Sequence, residues 1–291
     1  MIFRPSFIPK TLLIFGTLGF VKAADKPNIV IVFSDDQGYG DLACYGSKKN
    51  RTPRLDQLAK EGTRFTSFYS HTVCGPSRSA LLTGRQPLRS NKGWGMPASE
   101  ITWAELIRKV GYQTVCIGKW DVSNRKAIVD RMPNAQGFDY YFGPLGANDG
   151  GEVKFHENNG LAGTSREMGE LTTLYTNKSI ALLQEKRDAK KPFILYLAHT
   201  MMHTIIDSSN RFRGKSEGGL YGDVVEEFDF ETGRLLDALD ELGLRKNTLV
   251  IYTSDNGPWN QDKYTKNKKS HPKGSVFWGD SGPLRNGKGS C

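Results

Sequence analysis

Cysteine is scarce in this sequence: four residues among 291, at positions 44, 74, 116 and 291. Their irregular spacing excludes a disulfide framework and the paired spacing of a zinc site. Cys116 lies in an apolar run and is expected in the core. Internal repeats, low-complexity tracts and a clear interdomain linker are also missing, which excludes repeat architectures and leaves one large domain. Long hydrophobic stretches are few. Thr11–Val21 is mostly apolar but too short for a comfortable membrane span, so no stable membrane anchor is expected. With Arg4 and Lys10 before it and Val21-Lys22-Ala23 after it, residues 1–23 read as a signal peptide. Export to a periplasm or the exterior follows. Acidic residues are outnumbered, 31 against 40 basic, for a net charge of +9. The basic residues are scattered and form no nucleic-acid module, so the excess reads first as that of a soluble basic protein and otherwise as a help in collecting polyanionic substrates.

What the sequence does contain is an alternation of strand and helix signals. Asn28–Phe33 (NIVIVF), Gln113–Ile117 (QTVCI), Pro192–Ala198 (PFILYLA) and Asn247–Thr253 (NTLVIYT) are continuous apolar runs, the pattern of strands buried on both faces. Arg64–Tyr69 reads as a shorter strand. Thr52-Pro53 opens a helix through Leu55, Leu58 and Ala59 that Gly62 closes. Thr102-Trp103-Ala104-Glu105 has capping-box spacing and starts a helix ending near Gly111. Leu171–Arg187 carries an apolar stripe, and Tyr221–Leu242 forms a long amphipathic helix. The alternation predicts an α/β fold with a mostly parallel central sheet and helices on both faces. Residues 124–170 and 257–291 lack periodicity and read as long loops.

In such sheets ligands bind beyond the carboxyl ends of the strands. Asp35 and Asp36 follow the first apolar strand, Lys119 the second, His203 the third, and Asp255 and Asn256 the fourth. Reactive residues at all four exits predict one convergent site. Three carboxylates and one amide oxygen are hard ligands that suit Ca²⁺ or Mg²⁺ over zinc. Cys74-Gly75-Pro76-Ser77-Arg78 reads as the start of another helix, with Pro76 in its first turn and Gly84 at its end. Cys74 then lies where the helix favours an anion, with Arg78 one turn on. This suits a nucleophile attacking a sulfate or phosphate.

Cys74-Gly75-Pro76-Ser77-Arg78 followed by Leu82-Thr83-Gly84-Arg85 resembles the signature of the type I sulfatases, an arylsulfatase-like family of the alkaline-phosphatase-like superfamily. Ser34-Asp35-Asp36 and Ser254-Asp255-Asn256-Gly257 match that family's two metal-ligand segments. The resemblance implies a Ca²⁺ ion (or Mg²⁺) held by Asp35, Asp36, Asp255 and Asn256. It implies that a maturation enzyme oxidises Cys74 to formylglycine (3-oxoalanine), whose hydrate is the nucleophile. Arg78, Lys119 and Lys288 match cations that stabilise charge on the transferred group. His203 matches the substrate-side histidine that contacts sulfate or protonates the leaving oxygen, and His199 is expected to be structural. Aryl or carbohydrate sulfates, including sulfated polysaccharides, are the implied substrates.

Two departures stand out. The family's Gly-Lys-Trp-His is Gly118-Lys119-Trp120-Asp121 here, leaving Asp121 or His156 to act as base on the hydrate. Met202 replaces a customary proline. The resemblance spans residues 26–291, whereas family members continue into further core elements and a smaller C-terminal domain, so 26–291 reads as an incomplete catalytic domain. Two other readings remain: a phosphate or phosphonate ester hydrolase of the same superfamily, and an inactive relative that binds sulfated glycans.

Overall fold

The four long apolar runs become four adjacent strands. The computed structural model of the chain describes residues 26–90, 95–259 and 279–290. The proposed signal peptide and Cys291 lie outside the described residues. In chain order the elements are β1 (Asn28–Ser34), α1 (Pro53–Glu61), α2 (Cys74–Thr83), α3 (Pro87–Ser90), α4 (Trp103–Lys109), β2 (Gln113–Gly118), β3 (Tyr140–Pro144), β4 (Val153–Glu157), β5 (Gly160–Ser165), α5 (Leu171–Ala181), β6 (Phe193–Ala198), α6 (Gly219–Glu241) and β7 (Thr248–Ser254). One seven-stranded sheet runs β5-β4-β3-β2-β6-β1-β7. The pairs from β3 through β7 are parallel, and β4 and β5 add an antiparallel hairpin at one edge. The register aligns the ends: Gly118 and Phe33 both pair with Ala198, and Phe33 also pairs with Thr253.

Side chains alternate across each strand into two cores. On one face Val30, Val32, Val115, Ile117, Leu195 and Leu197 pack with Tyr175 of α5 and Val224 and Phe228 of α6. On the other, Ile31, Phe33, Cys116 and Tyr196 pack with Leu82 of α2 and Ala104 of α4. Burial of Cys116 matches expectation. Burial of both faces is what the unbroken apolar runs require. The outer strand β7 is less covered: Leu249 and Ile251 are 53% and 39% exposed.

Local chemistry sets the helix ends. Thr102 Oγ1 accepts from the Glu105 amide at 3.2 Å, while Glu105 Oε2 accepts from the Thr102 amide at 2.8 Å. These contacts satisfy two amides that a helix start leaves unpaired. Asp229 of α6 caps α1 from outside, accepting from the Leu55 and Arg54 amides at 2.8 and 3.1 Å. The Leu171–Arg187 stripe is helical as far as Lys186: α5 ends at Ala181, the chain continues through a π-helical turn, Leu182–Lys186, and Arg187 is extended.

Two expectations are corrected. Arg64–Tyr69 is not a strand: it pairs with neither sheet edge, and Phe65, Phe68 and Tyr69 are exposed. Aromatic and β-branched residues raise strand propensity, but a strand needs a neighbour to supply its ladder. Residues 124–170 are not a long loop, because β3, β4 and β5 lie within them. β5 is almost wholly exposed and glycine-rich, so it lacks the apolar alternation that marks a strand. Its turn carries Asn158 at φ 53° beside Asn159-Gly160, a hairpin signal that periodicity alone passes over. Of the expected loop 257–291, residues 260–278 lie outside the described residues, and 279–290 contain neither helix nor strand.

Candidate active site

The site forms where β2, β6, β1 and β7 end side by side. The exits interlock through backbone hydrogen bonds. The Lys119 amide donates to Ala198 at 2.5 Å, His199 to Phe33 at 2.8 Å, Asp35 to Met201 at 2.9 Å, and Asp255 to Ser34 at 3.1 Å. Gly118 allows this closeness. Its φ is +103°, and an added Cβ would lie 1.9 Å from the Ala198 carbonyl oxygen.

Every residue singled out for the site from the motifs enters one buried contact network. Lys119 Nζ lies 2.6 Å from Asp35 Oδ2 and 3.4 Å from Asp121 Oδ2. Arg78 Nη2 lies 2.9 Å from Asp255 Oδ2 and 3.4 Å from Asp35 Oδ2. Lys288 Nζ reaches Asp36 Oδ1 at 2.7 Å and Cys74 Sγ at 3.2 Å. Cys74 Sγ is 3.5 Å from Asp35 Oδ1. Asn256 Nδ2 donates to Asp36 Oδ1 at 2.7 Å. His203 Nε2 lies 3.9 Å from Asp36 Oδ2 and 3.5 Å from Asp149 Oδ1. The Thr204 carbonyl, 2.7 Å from His203 Nδ1, orients the ring in the tautomer that carries the proton there.

Lys288 arrives from far along the sequence. Its amide donates to Pro258 at 2.8 Å, and the Gly289 amide donates to Thr72 just before α2. The buried Asp41 carboxylate clasps the same segment. It accepts from Asp280 N at 2.7 Å, Gly38 N at 2.6 Å and the Tyr221 hydroxyl at 2.5 Å.

Four carboxylates (Asp35, Asp36, Asp121, Asp255) and three cations (Arg78, Lys119, Lys288) are buried together, one negative charge in excess when all are ionised. Buried charges persist only when paired. Burial opposes ionisation of Asp35, but Lys119, His203, Arg78 and Lys288 outweigh it and hold its carboxyl well below the usual range. Burial and the neighbouring Asp35 charge push Asp255 up to about 7. Arg78 and Lys119 stay firmly cationic despite burial because Asp255, Asp35 and Asp121 surround them. Burial, with Asp35 beside it, raises the Cys74 thiol well above its ordinary value. An unmodified thiol here is therefore protonated and a poor nucleophile, although it starts a helix.

Asp35, Asp36, Asp255 and Cys74 bring ligand atoms within 4.8 Å of one another. Asn256 Oδ1 is buried with no hydrogen-bond partner in the described structure. The orphaned oxygen, the hard donors and the excess negative charge fit a divalent cation of the calcium or magnesium kind.

The structure separates the two residues considered as base. Asp121 follows β2 in a left-handed conformation, φ 56°, fully buried beside Lys119. His156 sits on β4 opposite Gly143, two strands from β2, and no described contact joins it to the network. His199 is enclosed edge-on by Tyr175 and Phe228, and burial holds it down to about 3, so it is neutral and structural. Motif reasoning missed three residues. Arg125 Nε lies 2.9 Å from Asp121 Oδ1, and its Nη1 lies 2.6 Å from Asp149 Oδ2. Asn148 Nδ2 donates to the His203 and Ile205 carbonyls at 3.0 and 2.7 Å. Polar residues in a glycine-rich stretch were the only available signal.

A mostly parallel sheet whose exits gather cations, hard oxygen ligands and a helix-start cysteine defines an α/β protein with a buried charged cluster that offers ligand atoms to a metal ion. The family follows from comparison. Residues 27–282 match the family model described as Sulfatase, and the chain belongs to the sulfatase family. It is 36% identical over 282 residues to N-acetylgalactosamine-6-sulfatase of Mus musculus, covering 84% of this chain and 54% of that protein. It is also 36% identical over 286 residues to arylsulfatase A of Homo sapiens, covering 86% and 55%. Among solved structures, Ps i-CgsB in complex with k-i-k-neocarrahexaose superposes with a TM-score of 0.74 at 28% identity, covering 91% of this chain and 63% of that one. The chain thus spans about half the length of these curated relatives. Among the described residues no helix is long and apolar enough to cross a membrane.

Proposed function

We propose that this chain carries the catalytic site of an exported sulfatase that hydrolyses sulfate monoesters of carbohydrates or aryl alcohols. The convergence of the buried cations Arg78, Lys119 and Lys288 with the hard ligands Asp35, Asp36 and Asp255 around Cys74 supports this reading best. The named activities of the relatives and the sulfated-carbohydrate setting of the structural neighbours support the same substrate class.

Asp35, Asp36, Asp255 and Asn256 would hold a calcium ion. When bound, the ion supplies Lewis-acid charge against the sulfate oxygens. Conversion of Cys74 by a maturation enzyme supplies the hydrated aldehyde that serves as nucleophile. Lys119, Arg78 and Lys288 sit where negative charge develops on the transferred group, already oriented and desolvated. His203 Nε2 faces the rim of the cluster, where the imidazolium form of the ring, its Nδ1–H held by the Thr204 carbonyl, would protonate the departing oxygen. Asp121, buried beside Lys119 and bonded to Arg125, would accept a proton from the hydrate. Residues 1–23 act as the export signal.

The test is mass spectrometry of the tryptic peptide Phe65–Arg78 from the native source, paired with hydrolysis of 4-nitrophenyl sulfate and 4-nitrophenyl phosphate. Aldehyde or hydrate at Cys74 together with preferential sulfate turnover is the expected result. An unmodified Cys74 or faster phosphate turnover refutes the proposal.

A further inference from the structure

Arg125 and Asp149 form a charged pair at the rim, and the proposed reaction gives Asp149 no part. They are 39% and 48% exposed, whereas Asp121 and His203 are buried. An ion pair this exposed contributes little to stability. The geometry nevertheless holds it at several points. Arg125 bridges Asp121 Oδ1 at 2.9 Å and Asp149 Oδ2 at 2.6 Å. Asn148, next to Asp149, is tied to the His203 and Ile205 carbonyls. Asp149 Oδ1 is thereby placed 3.5 Å from His203 Nε2.

A fixed, half-exposed carboxylate beside the proton-donating nitrogen is a hydrogen-bond acceptor aimed at the leaving group. An ester oxygen bound at His203 Nε2 would bring the substituent on the carbon next to the sulfated one within reach of Asp149 Oδ1, 3.5 Å from that nitrogen. A carboxylate accepts from a hydroxyl there and repels a second sulfate or a carboxylate. Arg125 does not reverse that preference, since Asp121 and Asp149 already share its charge. We infer that Asp149, oriented by Arg125, is a specificity residue that reads a free hydroxyl adjacent to the sulfated position, as in a sugar or other polyol. This inference rests on the sulfatase reading and narrows its substrate class.

The experiment compares matured full-length chain and its Asp149→Ala and Arg125→Gln variants on two matched probes, 2-hydroxyphenyl sulfate and phenyl sulfate. The probes differ in one neighbouring hydroxyl. Wild-type kcat/KM should favour the hydroxylated probe by about 10- to 100-fold, the range of a hydrogen bond to a charged acceptor. The ratio should fall near one in Asp149→Ala and drop partway in Arg125→Gln. A merely structural role would lower both probes together and leave the ratio unchanged, which overturns the inference. If the wild type hydrolyses neither probe, the aryl part of the sulfatase reading fails by itself, and NMR titration of the same two sulfates then decides the inference. Tighter binding of the hydroxylated probe, lost in Asp149→Ala, supports the role of Asp149, and equal binding overturns it.

Discussion

Replacing Lys119 with methionine probes the buried charge balance directly. The ammonium is fully buried between Asp35 at 2.6 Å and Asp121 at 3.4 Å. Methionine keeps most of the volume and removes the charge. The buried carboxylate excess then rises from one to two, counting Asp35, Asp36, Asp121 and Asp255 against Arg78 and Lys288. Removing one partner of a buried pair costs about 3–5 kcal/mol because the other charge is left uncompensated. The cluster can limit this loss by taking up a proton. Asp255, already pushed up to about 7, is the group nearest to protonation. The penalty should therefore be largest near pH 8 and smaller near pH 6. A divalent ion should reduce it further, since it replaces the missing positive charge. Urea unfolding of wild type and Lys119→Met, at both pH values and with calcium or chelator, measures each part. A loss under about 1 kcal/mol at pH 8 in chelator, or one that ignores both pH and calcium, would refute this account of the site.

Three other outcomes follow from the same geometry. Calcium at about 100 times its Kd should stabilise the chain by about 2.7 kcal/mol, and Asn256→Ala should weaken that effect at least tenfold in calcium concentration; identical calcium-dependent Tm shifts in both proteins would exclude Asn256 as a ligand. Gly118→Ala should cost about 2–4 kcal/mol, because φ +103° is strained for alanine and its Cβ would strike the Ala198 carbonyl; chemical denaturation with a near-wild-type midpoint would contradict this. Burial pushes the Asp41 carboxyl up to about 7 from its ordinary 3.8. A group whose folded value is raised stabilises the fold at low pH and loses that contribution as pH rises through the folded value. The stability difference between wild type and Asp41→Asn should thus shift against wild type from about pH 4 to pH 7, as read by thermal melts across that window, and a pH-independent difference would show that Asp41 is ionised throughout.

Much of the site was legible in the chain itself. Parallel strands buried on both faces must be continuous apolar runs, so NIVIVF, QTVCI and PFILYLA are visible without any structure, and NTLVIYT shows as a strand although one of its faces is partly exposed. Their exits mark where a ligand can bind, which is why Asp35, Lys119, His203 and Asp255 could be grouped before their distances were known. The Cys74 segment carried its own helix-start chemistry. Less was legible where partners matter more than pattern. Arg64–Tyr69 has strand composition but no adjoining ladder, and Gly160–Ser165 has poor composition but pairs with β4.

Sequence alone determined the sheet's central strands, the Thr102–Glu105 capping box and the set of charged residues at the exits, because these depend on local periodicity and on residue type. Tertiary structure alone decided which of those charges face one another. It placed Asp121 rather than His156 beside Lys119, brought Lys288 back against Asp36 and Cys74, and set Arg125 and Asp149 at the rim near His203. Contacts of that kind depend on how strands separated by many residues stack in register, and on the low dielectric that makes each buried charge answer to its neighbours.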